Sequence, residues 1–275
     1  RSTLNSVTEN QKRWLVFGIA LSKVLVSQIR PFVETEIRNE YGNLQTSHGI
    51  HAQSTSGRLK HWLMPLKYEN INGNAGIPKL SRGRYDFSKF DCRVMSHVDF
   101  AKLYVENHMA KFNAFDECCD ASAVLALLGR VPVFSVDVQR AAGAVRGARN
   151  AWAHCVFHEW SLVNYQKNFA AMEQLVKKLG LPGSSTNNLL TELKDWEDKG
   201  TILCMNATMD PDLLKLVQQH VHDLMTDVEK LTFEVQEDRE RVSLALAQIL
   251  SNLEEMETRL DRMQVEQEAI KRDLS

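Results

Sequence analysis

From Thr8 to Tyr41 apolar side chains return every three or four positions: Trp14, Leu15, Phe17, Ile19, Leu21, Val24, Leu25, Ile29, Phe32, Val33 and Ile37. That spacing belongs to a helix, because strand residues alternate faces with a period of two. Pro31 falls inside the run and removes one backbone donor, so the segment reads as one kinked helix or two in tandem.

The same period organises most of the remaining chain. Tyr41-Gly42-Asn43 ends the first pattern, and a loop-rich segment rich in Gly, Asn, Ser and Pro extends to about Ser96. Val98, Phe100, Leu103, Tyr104, Val105, Met109, Phe112 and Phe115 then predict a helix of roughly four to five turns. Asp120 is placed to cap the short apolar helix "ASAVLALLG", which Gly129 and Pro132 close. Ser135 or Asp137 starts the next helix. Ser161 caps another, with Leu162, Tyr165, Phe169, Met172, Leu175, Val176 and Leu179 inward, ended by Gly180-Leu181-Pro182-Gly183. Short turns between them favour antiparallel packing.

Beyond Gly183, Leu189, Leu190, Leu193 and Trp196 suggest one small helix in a linker, and Pro211 opens a last, long one. Its apolar residues from Leu214 through Val217, Val221, Leu224, Val228 and Leu231 to Val235 form a heptad seam. Asp238 takes the next seam position, a stutter follows through Val242 and Leu246, and Ile249, Leu253, Met256, Leu260, Met263 and Ile270 continue. The expected architecture is all-α: an antiparallel helical bundle over 8–182 with a loop-rich basic insert at 41–96, a linker with a short helix at 183–210, and a coiled coil over 211–275.

The chain has 275 residues, 44% of them apolar, enough for one sizeable core and an appendage. Its net charge of −2 is unevenly spread. Through Gly183 there are 23 basic residues against 15 acidic, and beyond it 10 against 20. A basic body suits a polyanion, and the acidic coiled coil suits protein partners as well as a solvated surface. No apolar run long enough for a membrane span is evident, and Ser22 and Lys23 interrupt the most apolar stretch, so no membrane partner is expected. The odd number of cysteines, five, at no zinc spacing points to a reducing, intracellular and cytoplasmic setting. His48, His51 and His61 lack a carboxylate or Cys at ligand spacing, and "GNAGIPKLSRG" lacks the strand and Gly-Lys-Ser of a phosphate loop. Neither metal nor cofactor is expected.

Chemistry concentrates in "RGARNAWAHC", 146–155. On a helix Arg146, Asn150, His154 and His158 share a stripe with Arg149 on its flank, opposite Val138, Ala142, Val145 and Trp152. His154 exchanges a proton near neutral pH, Arg149 holds a planar fork against a phosphate, Asn150 orients either, and Arg146 adds attraction. Cleavage beside a 2′-hydroxyl needs those groups and no metal. The same stripe also fits the solvated face of an ordinary amphipathic helix. Gly143 and Gly147 would admit a second backbone. The insert adds eight Lys or Arg against three acids between Arg58 and Arg93, including Arg82 and Arg84, interleaved with Trp62, Tyr68, Tyr85, Phe87 and Phe90. That pattern suits single-stranded RNA, and equally a loop anchored by its aromatics.

"RNAWAH" in its setting "CDASAVLALLG…VRGARNAWAHC…W…NFAAMEQLVKKLGLP" resembles the HEPN (higher eukaryotes and prokaryotes nucleotide-binding) family, in the branch found in a DAZ-interacting zinc-finger ubiquitin ligase and a human X-chromosome-encoded protein. The resemblance covers about 8–182. It implies an all-helical bundle, and in many members a metal-independent endoribonuclease whose Arg and His face those of a second copy across a cleft. Carried over, Arg149 stabilises the phosphate, Asn150 is the polar position after it, and His154 transfers the proton. A homodimer suits residues five apart, which point about 140° apart on one straight helix. Other family members are noncatalytic scaffolds or nucleotide-binding modules, so assembly of a signalling or defence complex, as in innate immunity, is the alternative expectation.

Overall fold

The computed structural model describes residues 7–61, 64–205 and 210–273, all helix, turn and irregular loop without a strand among them. Trp62 lies outside the described residues. The first helical run has three parts, α1 (Glu9–Ile19), a π-helical stretch (Ala20–Val26) and α2 (Ser27–His48). Thr8 caps it through a capping box with Gln11. Pro31 does not break it: α2 runs on through the proline, and Ser27, whose carbonyl Pro31 cannot use, directly follows the π-helical stretch. Nor does Tyr41-Gly42-Asn43 stop it; Gly49, at φ +56°, does. Against the sequence expectation, Glu9–His48 contains a window apolar and long enough to cross a bilayer, with mean hydropathy 1.4. Here it is the central helix of the fold, and 61% of the window is buried by its neighbours.

The insert, 49–96, is a chain of short turns tied down by amide side chains. Asn70 Nδ2 donates to the carbonyls of Lys102 (2.8 Å) and Val105 (3.0 Å), and the Lys67 amide to that of Leu103 (2.9 Å). Arg130 Nη1 donates to Tyr104 O at 3.2 Å. These carbonyls would have served a longer helix, which is why the expected four to five turns shrink to α3, His97–Lys102, although Leu103, Tyr104 and Val105 remain buried.

Asp120 caps α4 (Ala121–Arg130), Ser135 rather than Asp137 caps α5 (Val136–Ala153), and Ser161 caps α6 (Leu162–Lys178). Trp14 and Trp152 stack at 5.4 Å, with Phe157 edge-on to Trp14, pinning α5 to the central helix. The expected linker is instead a full helix, α7 (Gly183–Cys204), packed on α1 and α6. Gly200 permits this approach: a Cβ there would collide with the Tyr165 hydroxyl. The bundle therefore extends past residue 182.

The single C-terminal helix expected from the heptads is two. α8 (Pro211–Asp227), capped by Asp210, and α9 (Gln236–Asp273) are separated by residues 228–235 and fold back on each other. The seam residues Leu214, Val217, Val221 and Leu224 are fully buried, as are Val242 and Leu246. From Asp261 to Arg272 every residue of α9 is exposed.

Candidate functional site

The side chains singled out on α5 line one end of a cavity of about 280 Å³. Arg146, Arg149, Asn150, Ala153 and His154 form one wall. Glu106, His108 and Met109, from the turn after α3, form the second. Phe233 and Glu234, from the α8–α9 connection, and Asp238, from the first turn of α9, form the third.

α5 delivers its residues for a local reason. Arg146, Asn150 and His154 are four apart and share a face, while Val145, Ala148 and Trp152 are buried on the other. The helix stops at His154, which is its C-cap, because Cys155 takes a left-handed conformation, φ +54°. The stripe therefore ends there. His158, expected on the same face, sits exposed in a separate turn, Phe157–Glu159, and does not line the cavity.

Arg149 is not on the flank in solvent but buried, 8% exposed. Its Nη2 donates to the Thr232 carbonyl, and its guanidinium lies 5.7 Å from the centre of the Phe233 ring. Arg239 approaches that ring at the same distance. Burial holds the Arg149 pKa below its ordinary value, with Asp120 opposing the shift. Arg146 is shifted the same way, by burial and then by Arg130. The Thr232 amide in turn donates to Asp120 Oδ2 at 2.5 Å, while Asp120 Oδ1 accepts from the Ala123 amide at 3.1 Å as the α4 cap. One residue of the connection thus has both its backbone groups read by charged side chains of the bundle.

His154 pairs through Nδ1 with Asp238 Oδ2 at 2.7 Å, its ring half exposed and the carboxylate buried. Asp238 also neighbours Arg241, at 3.4 Å. Burial, with Asp238 adding to it, pushes the nearby Cys155 thiol up to about 12, so it is a thiol rather than a thiolate at neutral pH. The cavity lining carries two arginines against three carboxylates, Glu106, Glu234 and Asp238.

Arg82 and Arg84 stand exposed in the insert, away from this lining; Arg82 has φ +64°. Beside them Tyr85, Phe87 and Phe90 form a cluster with ring centroids 5.1–6.4 Å apart, and Lys79 lies 4.7 Å over Tyr85. Tyr68 is buried and offers no stacking platform; its hydroxyl accepts from Gln53. Among the described residues no group of three or more His, Cys, Asp or Glu side chains has the geometry to hold a metal ion.

Sequence reasoning missed His108, Glu106, Asp120, Phe233, Glu234 and Asp238 as neighbours of the motif. Only Asp238 left a signal, as a charge on an otherwise apolar seam. Compared with known proteins, the chain matches no family model, no curated protein and no solved structure.

Proposed function

We propose that the protein binds single-stranded RNA on the α5 face and cleaves it without a metal, in the manner of a HEPN-type endoribonuclease. The observation that carries this reading is the gathering of Arg146, Arg149, Asn150 and His154 with a second imidazole, His108, around one cavity. In the proposed reaction His154 takes the proton of a 2′-hydroxyl, whose oxygen attacks the adjacent phosphorus. The 5′-oxygen leaves with a proton from His108. The products are a 2′,3′-cyclic phosphate and a 5′-hydroxyl, with arginine cations stabilising the charge that builds on the phosphoryl oxygens. The exposed Arg82 and Arg84 and the aromatic cluster near them would guide the strand at a distance from the reacting bond.

Self-association is assigned to the exposed end of α9, where the exposed Met263 and Ile270 continue the heptad seam. The α5 face is less suited to it, since the chain's own C-terminal connection covers Arg149.

That cover also favours a second reading, a noncatalytic HEPN scaffold assembling a signalling or defence complex, in which Arg149 and His154 are structural staples. Labelled single-stranded RNA incubated with the protein in EDTA separates the two. Cleavage that falls at least about 100-fold in His154→Ala, with unchanged circular dichroism, is the expected result. No cleavage by the wild type or by Asp238→Asn, or cleavage unaffected by His154→Ala, leaves the scaffold.

A further inference from the structure

The connection between α8 and α9 carries neither Gly nor Pro, yet it interrupts a heptad pattern that would otherwise run on. What it gains lies in the bundle. Asp120 takes the Thr232 N–H, Arg149 takes the Thr232 carbonyl, Phe233 presents its ring to Arg149 and Arg239, and Asp238 takes His154. Each of these contacts reaches a residue at least 80 positions away, apart from the one to Arg239.

We infer that residues 231–238 are a built-in competitor for the α5 face: a carbonyl oxygen and an aromatic ring on Arg149 stand where a phosphoryl oxygen and a base would stand. The charge balance supports this assignment. Glu234 comes from the connection and Asp238 from the first turn of α9, and with them the lining has two arginines to three carboxylates. Without them it has two arginines to one, Glu106. The segment therefore adds two carboxylates to a lining that otherwise holds two arginines and one carboxylate, which weakens its attraction for an anion. α8 and α9 pack chiefly on each other, and α8 is held to the central helix by its own apolar face and by Lys23–Asp227. α9 also touches α5, so freeing the α5 face takes residues 231–235 together with the first turn of α9, while the packing of α8 on α9 stays. Asp120, freed of Thr232, stays beside Arg149 and limits the gain in positive charge.

The inference rests on the nucleic-acid reading of α5 for its purpose, while the gating is measured without RNA. Phenylglyoxal, which modifies accessible guanidinium groups, reports it by peptide mass mapping of the full chain. Arg140, well exposed, is the internal standard, and Arg13, buried in α1, reports general opening. In Phe233→Ala/Asp238→Asn the rate at Arg149 should rise at least about tenfold over wild type, with Arg13 unchanged. Phe233→Tyr should restore protection. Arg149 remaining as slow as in wild type, or accelerating only together with Arg13, would overturn the inference. Oligouridylate failing to protect the newly reactive Arg149 would count against the RNA reading alone and leave the gate standing.

Discussion

Asp120 does two jobs from one buried carboxylate. It caps α4 through Ala123 and anchors the C-terminal connection through Thr232, so two elements far apart in sequence depend on a single side chain. Asp120→Ala removes a helix cap and leaves the buried Thr232 N–H without its acceptor, and a loss of roughly 2–4 kcal/mol is expected in urea denaturation. A loss below about 1 kcal/mol would mean that water or backbone replaces the carboxylate readily. The cap was legible in the sequence, since Asp precedes an apolar helical run. Its second bond was not, because nothing local distinguishes Thr232 from its neighbours.

Two glycines in helices have opposite meanings, and the difference lies in packing. Gly200 in α7 lets Tyr165 reach the Trp196 and Glu197 carbonyls, with no room for a Cβ. Gly147 in α5 is exposed, and a Cβ there would have no neighbour within 4 Å. Gly200→Ala should therefore destabilise the fold by more than about 2 kcal/mol through overpacking. Gly147→Ala should stabilise it by about 0.5–1 kcal/mol through helix propensity. Thermal or urea unfolding of the two variants checks both signs, and stabilisation by Gly200→Ala would refute the close α6–α7 approach. Helix α5 itself was legible from Ser135 to the end of its apolar face. Its stop at His154 was not, because the left-handed Cys155 has no sequence signature of the kind glycine provides.

At the scale of the molecule, the C-terminal part is half core and half projection. Leu246 and Val221 are fully buried, while every residue from Asp261 to Arg272 is exposed. Deleting 261–275 should leave the thermal midpoint within about 2 °C of the intact chain, and Leu246→Asp should lower it by more than about 5 °C. If the projecting seam joins two copies, the same deletion halves the mass seen by light scattering; an unchanged mass would remove that assignment.

The sequence by itself determined the all-α class, the helices with their own caps and apolar stripes, and the grouping of Arg146, Asn150 and His154 on one face. These follow from interactions within a few residues, which a period and a cap residue record. Tertiary structure alone decided where α3 stops, that α7 is a full helix of the bundle, and that the heptads break at 228–235. In each case the deciding partner is distant in the chain: Asn70 on the carbonyls after α3, Tyr165 under Gly200, and Asp120 and Arg149 on Thr232. Backbone groups settle with whichever partner the fold brings to them, and local pattern does not record partners that arrive from so far away.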